Sequence, residues 1–126
     1  MPARGLGTKY QGSKWIRPEK RLAIYLRDGL ACCYCGEVIE DGIGLSLDHL
    51  EAHSNGGNNH ETNLVTSCRR CNSARGNRDY REFVTAVAQY LNHDVKSGDI
   101  VNHIEITRFR ALDIPAARAV MNNRRS

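Results

Sequence analysis

No stretch of the 126-residue sequence approaches the roughly 18 consecutive apolar residues of a membrane-crossing helix, so no membrane partner is expected. The first residues are charged and glycine-rich and lack the apolar segment of a secretory signal. That predicts a reducing cytoplasm, where disulfides are disfavoured. There are only three prolines, no proline-rich linker and no internal repeat. The expected organisation is therefore one folded unit over residues 17–122, a flexible basic arm over 1–16 and a short polar tail over 123–126. The chemistry-bearing residues fall within 32–72, a segment too short to bury a large core, and such segments usually rely on a metal or a disulfide.

Cysteine is what the chain does have. Five occur, an odd number that argues against a simple disulfide framework. Cys32-Cys33-Tyr34-Cys35 opens the segment and Cys68-Arg69-Arg70-Cys71 closes it, so two C-x-x-C knuckles can supply four thiolates to one tetrahedral zinc. A filled tetrahedron leaves no open position, which makes such a site structural. Cys33 complicates the assignment. It could replace Cys32 and give C-x-C, but two intervening residues let both sulfurs converge from one turn. Cys32, Cys35, Cys68 and Cys71 are the expected ligands, with Cys33 as a small apolar filler.

The formal charge is a modest +4, from 18 basic and 14 acidic residues, but its distribution is uneven. The first 28 residues hold seven Arg or Lys against Glu19 and Asp28. Arg69, Arg70, Arg75, Arg78 and Arg81 cluster on and after the second knuckle. Clusters of this kind are the footprint of a phosphate-backbone binder, and they are also compatible with a plain solvated face.

Pro18 at a first helical position, then Leu22, Tyr25 and Leu26 on one face, predict a helix closed by Gly29. Residues 31–39 are expected to pair as a hairpin with residues 44–48, across a turn at Asp41-Gly42. Asp48-His49 then ends a strand. A polar loop with Gly56-Gly57 follows, then a short strand or turn from Asn63, then a helix from Cys68. Tyr80, Phe83, Val84, Val87, Ala88 and Leu91 repeat at helical spacing. Ile100, Ile104 and Ala111 favour a helix over a strand, and Asp113 with Pro115 marks the start of another.

Between and just after the knuckles stand a carboxylate, an imidazole and two amides: Asp48, His49, Asn63 and Asn72. Phosphodiester hydrolysis needs a nucleophilic water, neutralisation of phosphoryl charge and help for the leaving oxygen. A hard cation, Mg²⁺ or Mn²⁺, supplies the last two and takes oxygen ligands. Asp48 and Asn72 offer such oxygens, and His49 is a natural general base near neutral pH. Asn72 follows Cys71 directly, so a zinc that fixes Cys71 also places Asn72 at the start of a helix. Backbone N–H groups at that helix start would also favour a phosphate.

The segments CCYCG, LDHLEAHSNGG and NLVTSCRRCNSARG, across residues 32–76, resemble the zinc-containing HNH endonucleases. The resemblance implies an α+β fold: a small ββα-metal, treble-clef-like core held by a four-cysteine zinc, with flanking N- and C-terminal helices. It implies a metal-dependent DNA endonuclease or nickase acting as a monomer or weak homodimer, of the kind found in phage packaging, restriction, mobile elements and repair. By position, His49 matches the general base, Asp48 the metal-binding acid before it and Asn63 the central residue that braces the loop and the His. Asn72 matches the third position, a metal ligand. There the chain departs from the literal motif with Asn in place of His, which favours Mg²⁺ or Mn²⁺. Arg75 matches a basic position and is expected to contact phosphate or to stand solvated on its helix. His60, close before Asn63, is a candidate extra ligand. The competing expectation is a zinc-knuckle DNA-binding module without catalysis, which leaves the joint presence of Asp48, His49 and Asn72 unexplained.

Overall fold

The computed structural model describes residues 16–39, 44–52, 56–91 and 95–125. Most of the basic arm, the turn at Asp41-Gly42 and His53 lie outside the described residues. Helix α1 spans Pro18–Arg27. Strand β1 (Leu45–His49) pairs antiparallel with β2 (Leu64–Cys68), with Leu45 opposite Cys68 and His49 opposite Leu64. Helices α2 (Arg69–Arg75), α3 (Tyr80–Leu91), α4 (Ser97–Thr107) and α5 (Ile114–Arg125) follow. This is a small α+β fold: a ββα unit of β1, β2 and α2, flanked by helices on both sides in sequence.

The hairpin differs from the sequence expectation. The partner of β1 is β2, not residues 31–39. The first knuckle spends its backbone bonds on its own tight turn. Gly36 N–H donates to Cys32 C=O (2.9 Å), Cys32 N–H to Glu37 C=O (2.9 Å) and Ile39 N–H to Leu30 C=O (2.8 Å). Gly36 has φ +80°, which a glycine adopts at little cost. One bond then docks the knuckle on the sheet, from Cys33 N–H to Thr66 C=O (2.9 Å). Every residue of β2 is buried, so this strand is the centre on which the other elements pack.

The main core joins Cys32, Cys68 and Cys71 to Tyr34, Phe83 and Ile104, so the cysteines sit inside the packing rather than on its rim. The expected stripe on α3 is buried at Tyr80, Phe83, Val84 and Val87. α4 settles the ambiguous region as helix, burying Ile100, Ile104 and Thr107. α5 runs on through Arg125, so residues 123–125 of the expected polar tail continue a helix. On α1 the buried face is Ala23, Ile24 and Tyr25, not Leu22 and Leu26. Ile16, placed in the arm by sequence, is buried with Ile24 and Leu64.

A buried ion pair closes α1 at its C-terminal end. Arg27 and Asp28 have side chains only 1% exposed each. Arg27 donates to both Asp28 oxygens (2.7 and 3.2 Å), to Leu64 C=O (2.7 Å) and to Glu61 C=O (3.0 Å). Asp28 accepts from Thr66 N–H (2.8 Å) and from the Thr107 hydroxyl (3.0 Å). One charged pair thus ties α1, β2 and α4 together. With every polar atom partnered, its burial is tolerable, but losing either partner would strand a charge. Among the described residues, no helix is long and apolar enough to cross a membrane.

Candidate metal centre and catalytic site

The sulfurs of Cys32, Cys35, Cys68 and Cys71 all lie within 4.8 Å of one another. The Cys35 and Cys68 sulfurs are 3.9 Å apart. Four thiolates about 2.3 Å from one zinc would stand about 3.8 Å apart, so the cluster has the size and donor set of a tetrahedral zinc site. The cluster takes Cys32 and leaves out Cys33. A hydrogen bond with Cys71, opposed by burial and helped by the N–H groups of Cys35, Cys68 and Tyr34, pulls the Cys32 thiol down to about 4. The same link, together with burial, pushes the Cys71 thiol up. Burial, with the nearby Cys32 and Asp48 charges, pushes Cys33 up as well, as befits a protonated apolar filler. Cys68 has a second task. Its sulfur caps α2 by accepting from Cys71 N–H (3.4 Å).

β1 presents its residues alternately. Ser46 and Asp48 face α2, where Asn72 and Arg75 meet them one helical turn apart. Leu47 lies on the other side, packed with Ile16, Ile24 and Leu64. Asp48 and Asn72 therefore share the β1–α2 interface.

Arg75 is the main correction to the sequence reading. It does not stand solvated on its helix; it is 4% exposed. Its guanidinium donates to Asp48 Oδ2 (2.6 Å), His49 C=O (2.8 Å), Leu50 C=O (2.7 Å) and Arg78 C=O (2.8 Å). Burial works against its charge, but Asp48 and then Tyr34 outweigh burial and raise its pKa above the ordinary value. The Tyr34 hydroxyl donates to the same Asp48 oxygen, and burial is the first reason its own ionisation is pushed up. Tyr34 thereby links the first knuckle to Asp48. Arg75→Met, which keeps the stem and removes the charge, would leave Asp48 buried beside a lone phenol. The expected cost is about 3–5 kcal/mol of stability, read as a lowered midpoint in urea unfolding, with Arg75→Lys intermediate.

His49 ends β1. Its Nε2 lies 2.8 Å from Asn59 Oδ1, and Lys20 holds the backbone of Asn59 through its C=O (2.8 Å). Asn59 thereby holds the His49 ring by Nε2. Asn63 is buried and holds the loop after His49. It accepts from Glu51 N–H (2.9 Å) and donates to Glu51 C=O (3.1 Å) and Asn58 C=O (2.8 Å). Gly57 allows that closure, because a Cβ there would sit 1.8 Å from Glu51 O. His60 is exposed, and its Nδ1 caps the short 3-10 turn Glu61–Asn63 by accepting from Thr62 N–H (3.2 Å). Among the described residues, nothing bonds His60 to Asp48, His49 or Asn72, so the structure gathers it with the loop and not with the site.

Asn72 donates to Ser46 Oγ (2.9 Å) and to Leu47 C=O (3.3 Å). It lines a shallow cleft of about 290 Å³ with Ser46, Arg69 and Ser73. Sequence reasoning missed Tyr34, Ser46 and Asn59. The available signals were Tyr34's place inside a knuckle, Ser46's equal parity with Asp48 on one strand and Asn59's place in the Gly56–Asn59 run.

Residues 32–78 match the model of the family described as HNH endonuclease. This segment is an HNH domain. The match begins at the first ligand of the four-cysteine cluster and ends just beyond α2, so the HNH domain coincides with the knuckles, the β1–β2 hairpin and α2. No curated protein and no solved structure matches the chain.

Proposed function

We propose that the protein is a metal-dependent DNA endonuclease that nicks one strand at a time, its HNH domain framed by zinc at Cys32, Cys35, Cys68 and Cys71. The observation that carries this reading is Asp48 and Asn72 on one β1–α2 interface, beside His49 at the strand end, in a segment that matches the HNH endonuclease family. A hard divalent ion, Mg²⁺ or Mn²⁺, would be held by the Asp48 carboxylate and the Asn72 amide oxygen, and it would neutralise charge on the phosphate and on the leaving oxygen. His49 takes the proton from the attacking water, with Asn59 holding the ring by Nε2. Asn63 keeps the loop, and through it Asn59, in place.

Arg69 is the better placed arginine for a phosphate contact, since the Arg75 guanidinium is spent on Asp48 and three backbone carbonyls. Arg70 pairs with Glu37 (3.8 Å), Arg81 with Glu105 (3.7 Å), and Arg78 donates to Ala74 C=O (2.9 Å). Arg69 is exposed, lines the cleft beside Asn72, and has no side-chain partner among the described residues. In binding measured without divalent metal, Arg69→Gln should weaken DNA affinity and flatten the salt dependence by about 0.9 in slope per lost phosphate contact. Arg70→Gln serves as the comparison and should move the slope less.

One observation favours a non-catalytic DNA-binding module. The Asp48 carboxylate is only 6% exposed and already engaged by Arg75 and Tyr34. Supercoiled plasmid decides between the two readings. Conversion to open circles with Mg²⁺ or Mn²⁺, stopped by EDTA, supports the nuclease. Plasmid retarded on a gel but intact with every divalent metal supports the binding module.

A further inference from the structure

We infer that Ser46 is a positioning residue that fixes which way the Asn72 amide points, and so presents Asn72 Oδ1 as a ligand for a hard divalent cation. The inference rests on the metal role proposed above for Asn72. Its ground is a chain of hydrogen bonds with one permitted direction. Ser46 has a single hydroxyl hydrogen, and it is committed to Ser67 C=O across the hairpin (3.1 Å). Toward Asn72, Ser46 Oγ is therefore an acceptor. The other neighbour of the Asn72 amide on β1 is Leu47 C=O, which can only accept. Both neighbours demand N–H, and Asn72 Nδ2 supplies its two hydrogens to them (2.9 and 3.3 Å). A flipped amide would set its oxygen against Leu47 C=O, which can only accept, and could bond Ser46 only if the hydroxyl left Ser67 C=O. The flip is thus disfavoured by the sheet itself, and Oδ1 is the amide atom that makes no bond to β1.

Ser46 reaches this position through strand parity. It lies two residues before Asp48, so both side chains face α2. Its partner Ser67 sits directly opposite on β2. The second knuckle starts one residue later and leads into the helix that carries Asn72. A metal ligand usually depends on a neighbour that orients it, and losing such a neighbour typically weakens metal binding 10–100-fold.

The test is Mn²⁺ binding to the zinc-loaded full chain, read by electron paramagnetic resonance in the absence of DNA, on wild type, Ser46→Ala, Ser46→Thr and Asn72→Ala. Zinc content and the thermal midpoint are measured on the same samples. The expected result is Mn²⁺ affinity lowered about tenfold or more in Ser46→Ala. Ser46→Thr, which keeps the hydroxyl on a strand, should restore it, with zinc unchanged in both variants. A Mn²⁺ signal lost in Asn72→Ala and unchanged in Ser46→Ala would overturn the role of Ser46 alone. A Mn²⁺ affinity that Asn72→Ala does not lower would overturn the metal site and this inference with it. Equal loss in Ser46→Ala and Ser46→Thr would also overturn it, because the hydroxyl would then not be the operative group.

Discussion

Removing zinc from the protein, by a strong chelator or by Cys68→Ser, is expected to unfold the HNH domain rather than to slow it. Three of the four cluster cysteines are buried in the main core, packed with Tyr34, Phe83 and Ile104. Structural zinc contributes about 10–16 kcal/mol to folding in small zinc modules. A whole domain is stable by only about 5–15 kcal/mol, so the metal is of the same order as the entire margin. Cys68 carries an added cost, since its sulfur also caps α2. The apo chain would bury thiols at the centre of its packing, with the two knuckles no longer tied and β2 no longer held against the first knuckle. Circular dichroism during chelation should show loss of helix, and released zinc should follow with one equivalent per chain. Folded structure that survives full zinc loss would contradict this account. Acid should release the zinc as well, because protons compete for the thiolates.

His49→Ala is expected to do the opposite: keep the fold and the zinc and lose the cleavage. His49 is half-buried at the end of β1, outside the core clusters. A positioned general base typically contributes about 10²–10⁴ in rate. The loss should fall on the chemical step, with DNA affinity in EDTA close to wild type. Asn59→Asp sharpens the test, since a carboxylate facing Nε2 would favour protonated imidazole and move the rising, low-pH limb of activity to higher pH.

The cysteine framework and most helices were legible in the sequence because their signals are local. Knuckle spacing reports a turn, and the stripe from Tyr80 to Val87 reports a face. The pairing of β1 was not legible. Residues 31–39 and 64–68 are both short and partly apolar, and only the closed turn of the first knuckle shows that its backbone is already spent. The burial of Arg75 and Arg27 was equally hidden. Each is an arginine that reads as surface, and each is drawn inward by a carboxylate, Asp48 or Asp28, whose position follows from tertiary packing. At the site, Asp48, His49, Asn63 and Asn72 were visible as residue types in order. Their supports Tyr34, Ser46 and Asn59 were not, because a hydrogen-bonded neighbour leaves no pattern in the chain.

Nicking of supercoiled plasmid by zinc-loaded wild type and His49→Ala, side by side with Mg²⁺ and with Mn²⁺, separates a His49-dependent nuclease from a DNA-binding module. Wild type should give open circles and His49→Ala a rate at least about 10² lower, with equal zinc content and thermal midpoint in both. Equal nicking by the two proteins, or none by wild type with any divalent metal, would contradict the nuclease reading.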